Sequence, residues 1–140
     1  MQILGLEQLD KWCLSLLSDC SSRQIVLLSG ELGAGKTRLV QSFVQCLGGD
    51  TTASPTFSVI NEYSTESITV YHVDLYRLET PEALESVGFW DLFEKESGII
   101  FIEWPERLQE SELPLDWDKM KIRIDLVEDP SLRKYTLLQL

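Results

Sequence analysis

The sequence predicts an α/β domain with parallel core strands and antiparallel additions, flanked by helices. Three observations predict it. The first is the stretch Gly30-Glu31-Leu32-Gly33-Ala34-Gly35-Lys36-Thr37, which fits G-x-x-x-x-G-K-[ST] at every fixed position. It follows the apolar run Ile25-Val26-Leu27-Leu28 and precedes a helical pattern over 38–47. Strand, glycine loop and helix in that order make the sheet P-loop NTPase-like. The second is another wholly apolar strand, Ile99-Ile100-Phe101-Ile102, after Gly98. The third is a pair of strand patterns over 58–63 and 68–74, joined by so short a loop (64–67) that an antiparallel hairpin follows.

The remaining elements follow in order. Leu9, Trp12, Cys13, Leu16 and Leu17 recur at helical spacing and predict an amphipathic helix over 7–18 that packs on the sheet. The short segment 2–5 before it could lie near a nucleotide base. In the helix after the glycine loop, Leu39, Val40, Phe43, Val44 and Leu47 form the apolar side, and Gly48-Gly49 ends it. Thr51-Thr52-Ala53-Ser54-Pro55-Thr56-Phe57 reads either as a connecting loop or as a switch segment that senses a γ-phosphate and Mg²⁺. Thr80-Pro81-Glu82 starts a helix whose buried side is Ala83, Leu84 and Val87, and Gly88 stops it. Phe89, Trp90, Leu92 and Phe93 predict a second short helix. Residues 109–118, acidic and broken by Pro114, predict a surface loop. Ile122, Ile124 and Leu126 alternate with polar residues in a half-exposed strand, and 135–140 is a final strand.

A chain of 140 residues with 44% hydrophobic and 25% charged residues fits a single soluble domain, 1–140. Twelve Lys and Arg against 23 Asp and Glu leave a net charge of −11. Such a chain repels nucleic acid and anionic membranes unless its few cations cluster; the acidity suits a partner protein with a basic surface or serves only solubility. Cys13, Cys20 and Cys46 lack a C-x-x-C spacing and suggest neither zinc nor disulfides. With no leader pattern and no apolar run of about 18 residues, the expected location is cytoplasmic, without membrane contact.

The glycine loop carries the chemistry. Gly30, Gly33 and Gly35 let backbone N–H groups close around an anion, and the following helix N-terminus adds partial positive charge. Lys36 is the residue for the β- and γ-phosphates, and the Thr37 hydroxyl is the residue for Mg²⁺. A carboxylate at a neighbouring strand end completes such a site. Glu103 and Asp74 both qualify. Glu103 follows the more continuously apolar strand and is preferred for the metal, leaving Asp74 to orient the attacking water or a metal-bound water. The roles could be exchanged, and either could be a plain strand-end turn residue. Hard oxygen ligands favour Mg²⁺ over zinc. His72, the single histidine, reads as a structural residue rather than a catalyst. Arg77 could pair with Asp74 or meet a phosphate, and Trp104 either packs near the nucleotide or covers the sheet end.

Taken together, the loop 30–37, Ser54-Pro55-Thr56-Phe57, His72-Val73-Asp74-Leu75-Tyr76-Arg77-Leu78 and Ile102-Glu103-Trp104-Pro105-Glu106 resemble, in this order, the TsaE (YjeE) family of small bacterial P-loop ATPases. The likeness covers nearly the whole chain. It implies slow hydrolysis of ATP with Mg²⁺, in a complex with a TsaD-like transferase and a TsaB-like partner that makes threonylcarbamoyladenosine in tRNA. Transfer itself is then the transferase's chemistry, and tRNA is met only indirectly. The resemblance also implies Thr37 and Glu103 at Mg²⁺, Thr56 in a nucleotide-responsive loop, and Arg133 close to the nucleotide.

Three rival readings stand beside it. A small-molecule kinase needs basic lid residues, and 109–118 has none. A GTPase needs an Asn-Lys-x-Asp segment to read guanine, which the chain lacks, so ATP is expected over GTP. A nucleotide-binding scaffold without useful turnover is the third.

Overall fold

The computed structural model of Met1–Leu140 describes residues 1–51, 59–78 and 80–140. The strands are β1 (Gln2–Gly5), β2 (Arg23–Ser29), β3 (Ile60–Tyr63), β4 (Val70–Asp74), β5 (Gly98–Glu103), β6 (Asp118–Leu126) and β7 (Leu132–Gln139). The α-helices are α1 (Leu6–Asp19), α2 (Lys36–Cys46) and α3 (Pro81–Ser86). Among the described residues the strands form one sheet in the order β1-β7-β6-β2-β5-β4-β3. The four central strands β6, β2, β5 and β4 are parallel. The outer pairings of β1 with β7, β7 with β6, and β3 with β4 are antiparallel. The expected parallel core with antiparallel additions is the observed architecture.

The apolar run of β2 is explained by burial on both sides. Val26 and Leu28 join one core cluster, with Leu9, Cys13 and Leu16 of α1 and Leu39, Val40 and Phe43 of α2. Ile25 and Leu27 join the other, with Leu84 of α3, Phe89, Phe93 and Trp117. Strand alternation thus assigns α1 and α2 to one face of the sheet, and α3 with several short 3-10 helices to the opposite face.

The second face departs most from the sequence reading. Its short helix is a 3-10 turn, Trp90–Glu94. Val87, expected on the buried side of α3, is 37% exposed because the helix has already ended at Ser86. Thr80 does cap α3, accepting from Ala83 N at 3.1 Å. The acidic stretch 109–118 is not a free surface loop. Leu113 and Trp117 are buried, and the Trp117 indole N–H donates to the Phe93 carbonyl at 3.0 Å. Arg23 crosses to the same segment, bonding Asp116 at 2.8 Å and lying 4.8 Å over the Trp117 ring. β6 therefore starts at Asp118, with Met120, Ile122 and Ile124 as its buried row, while Leu126 is 46% exposed. Two apolar anchors outweigh an acidic, proline-containing composition.

Candidate nucleotide site

β2 ends at Ser29, and the chain turns through the glycine loop into α2. Two glycines make the turn feasible. Gly35 has φ 106° and caps α2, a left-handed conformation that costs other residues about 1–2 kcal/mol. Gly30 has φ 153°, and a Cβ there would lie 2.6 Å from the Ile124 carbonyl oxygen of β6. The loop is pressed against the neighbouring strand, so its backbone position is set by the sheet. The opening N–H groups of an α-helix lack intrahelical acceptors and favour an anion.

Lys36 is 5% exposed although charged. Its ammonium donates to the Gly30 carbonyl at 2.6 Å and lies 3.9 Å from the centre of the Trp104 ring. The cation is held above the loop by a carbonyl and an aromatic face. Trp104 thus packs beside the glycine loop. It has a positive φ, 60°, immediately before Pro105, and packs on Tyr76 at 5.1 Å. A left-handed backbone at a non-glycine residue marks a locally strained position.

Parallel pairing sets Glu103 beside Leu28 of β2 on one side and Asp74 of β4 on the other. Glu103 is 5% exposed. Its Oε2 accepts from the Thr37 hydroxyl at 3.2 Å and from His72 Nε2 at 2.5 Å. Asp74 is half-buried and caps the next turn, its Oδ1 accepting from Tyr76 N at 3.0 Å. The two carboxylates therefore end adjacent strands in register but are engaged differently: Glu103 with the P-loop helix, Asp74 with its own turn.

Arg133 reaches the loop from β7, its Nε donating to the Ala34 carbonyl at 3.2 Å. Beside it opens a cavity of about 620 Å³, bounded by Leu4, Gly5, Ala34, Gly35, Arg38 and Arg133 among others. The segment 2–5 thus borders the glycine loop. Its lining is largely apolar with a few polar groups, the usual character of a small-molecule pocket.

Lys36, Thr37, Glu103, Trp104 and Arg133 converge around the loop. Glu31 is exposed and Leu32 is 82% exposed, at the outer turn. Thr56 and its segment lie outside the described residues. His72 is the buried, hydrogen-bonded residue that its strand position suggested, on the same face of β4 as Asp74. Sequence reasoning did not single out Arg38, which borders the cavity.

Among the described residues no three His, Cys, Asp or Glu side chains cluster to cage a metal. Thr37 and Glu103 offer a hydroxyl and a carboxylate on one spot. That donor set fits Mg²⁺, which takes few protein oxygens and shares phosphate and water ligands.

A glycine loop between a buried parallel strand and a helix, with a carboxylate ending the adjacent strand, defines a P-loop α/β domain. Residues 5–134 match the family model described as Threonylcarbamoyl adenosine biosynthesis protein TsaE. The chain belongs to the TsaE family. Two relatives bear the name tRNA threonylcarbamoyladenosine biosynthesis protein TsaE. One, from Synechocystis sp., is 44% identical over 103 residues, covering 71% of this chain and 65% of that protein. The other, from Rickettsia felis, is 39% identical over 109 residues, covering 76% and 63%. The chain thus spans just under two thirds of the length of these curated relatives. The crystal structure of Bacillus subtilus YdiB shares the fold, with a TM-score of 0.68 over 99% of this chain and 84% of that one, at 24% identity.

Proposed function

We propose that the chain is an accessory ATPase: it binds and hydrolyses ATP with Mg²⁺ inside a complex that makes N6-threonylcarbamoyladenosine in tRNA. The observation that carries the ATPase reading is the Thr37–Glu103 contact beside the buried ammonium of Lys36. The names of the relatives support the tRNA modification. A TsaD-like transferase and a TsaB-like protein are the proposed partners, and the net charge of −11 favours meeting tRNA only through them. No described helix is long and apolar enough to cross a membrane.

The proposed chemistry uses groups already in place. The loop N–H groups and the α2 N-terminus bind the phosphates. Lys36 exchanges the Gly30 carbonyl for a phosphate oxygen, an anion in place of a dipole. Thr37 and Glu103 would hold Mg²⁺, which neutralises charge on the β- and γ-phosphates. His72 fixes the Glu103 carboxylate by its buried hydrogen bond. Asp74, one strand over, orients the attacking water. The base occupies the cavity between segment 2–5 and the glycine loop.

Burial of Leu113 and Trp117 supports hydrolysis over a kinase, since a lid over 109–118 would have to break a core to swing. The test pairs binding with turnover. Lys36→Ala should lose most ATP affinity while melting near the parent temperature, and phosphate release by the parent chain should rise when both partner proteins are added. Unchanged ATP binding by the variant would sink the site. No stimulation by the partners would sink the accessory role.

A further inference from the structure

The charge of this chain is unevenly distributed. Residues 79–118 hold 12 Asp and Glu against two Lys and Arg, a net −10, leaving 11 acids and ten bases, a net −1, for all the rest. This acidic span carries α3 and the 3-10 turns that cover the second face of the sheet. Glu82, Glu85, Asp91, Glu94, Glu96, Glu106, Glu112 and Asp116 within it are all exposed.

A groove of about 310 Å³ opens in the middle of this surface. Leu75, Leu78, Leu84, Trp90 and Leu108 give it an apolar part, with Thr80 beside them. Glu85 and Glu112 stand on its rim. Trp90 and Leu108 are half-buried and present part of their surface to the groove. The cavity can take a large apolar side chain. Its surroundings repel nucleic acid and anionic lipid and attract cations.

We infer that this groove docks a segment of a partner protein in which a leucine- or phenylalanine-sized side chain is flanked by lysines or arginines. The apolar residue enters between α3 and the 110–112 turn, and the flanking cations meet Glu85 and Glu112. An acidic rim around an apolar centre is the arrangement of a protein-binding hot spot with electrostatic steering. The inference rests on the proposed complex with a TsaD-like and a TsaB-like protein, and it assigns the surface used there. The groove lining shares no residue with the glycine loop, so ATP and the partner segment do not compete for the same side chains.

The test measures binding of the chain to the purified TsaD-like and TsaB-like proteins of the same organism at two salt concentrations. The double variant Glu85→Lys, Glu112→Lys is set against Asp10→Lys, Asp19→Lys, a pair exposed on α1 across the sheet. Each pair reverses two charges and moves the net charge from −11 to −7. The groove pair should weaken the complex about tenfold or more and flatten its salt dependence, while the α1 pair stays close to the parent. Leu108→Asp, which sets a charge in the groove wall, should weaken it similarly, with folding checked by thermal melt and ATP binding retained by all three variants. Equal losses from both charge pairs, or none from either, would overturn the groove while leaving the complex standing. No complex with the parent chain would overturn both the groove and the partner reading.

Discussion

The two faces of the sheet are built by different means. On the face of α1 and α2, two helices of 14 and 11 residues lay apolar stripes on the strands. On the other, the longest helix has six residues, and aromatic mass does the covering. Phe89, Trp90, Phe93 and Trp117 pack with ring centres 4.9–6.0 Å apart, several edge to face. The charges of α1 and α2 balance, whereas the span 79–118, which supplies most of the cover on the second face, carries −10 of the net −11. Helices there can be short because large rings bury much area per residue, each with few rotamers to freeze. A helix is needed where its N-terminus has work, as at Lys36. Where only cover is required, turns suffice.

The comparison can be broken most forcefully at Trp117. Trp117→Ala empties the second face and should cost about 3–5 kcal/mol of unfolding free energy, read by urea titration. It should also release the 109–118 segment to proteolysis, while ATP affinity in the folded fraction changes little. If stability were kept, the aromatic cluster would not be what holds that face.

Glu103→Gln acts on the other side. It should lower turnover about 10²–10³-fold and blunt the Mg²⁺ dependence of ATP binding, at little cost in melting temperature. Asp74→Asn should lower turnover more than affinity. Exchanged phenotypes in a kinetic titration of Mg²⁺ would mean that the roles of the two acids are reversed.

His72→Phe keeps the bulk but removes the hydrogen bond to Glu103. The expected effect is a 10–100-fold weaker apparent Mg²⁺ affinity with ATP affinity in metal-free buffer unchanged. Equal loss of both would make His72 a packing residue, as the sequence first suggested.

The smallest expected effect is on pH dependence. Burial, with a smaller contribution from Cys46 and Asp10, pushes the Cys13 thiol from 9.0 up to about 12. Unfolded, it ionises near 9.0; folded, it stays neutral to about 12. The unfolded chain therefore releases this proton first, and stability is lost as pH rises through that window. Cys13→Ala should flatten the decline between pH 9 and pH 11 in denaturant titrations. Cys20, also raised to about 12 by burial, is unaffected by the change and keeps part of the slope.

The same contrast decides what was legible beforehand. The glycine loop, α1, α2 and β5 announced themselves because periodicity over a long window is a strong signal. The covering of the second face has no such window. A 3-10 turn of three to five residues has no stripe, and Trp117 looks like an isolated aromatic among acids. At the site, Glu103 was legible as a strand end, but its grip on Thr37 and His72 required the parallel registers of β2, β5 and β4. Trp104-Pro105-Glu106-Arg107 was legible as a turn, but the left-handed backbone of Trp104 was not, since a following proline usually implies extended backbone.

Arg133 carries a consequence for how the molecule assembles. Its bond to the Ala34 carbonyl spans 99 positions, and β1 has β7 as its strand partner. Two parts of the cavity beside the glycine loop, separated by about 30 residues near the beginning, are thus fastened by one strand that comes a hundred residues later. The glycine loop can collapse onto α2 early through local contacts, but the cavity beside it lacks one wall until β7 arrives. Such long-range closure is slow and sits late on a folding path. In a pulse-labelling experiment the amides of β1 should gain protection with those of β7 and after those of α2, so that the glycine loop forms before the cavity beside it is closed.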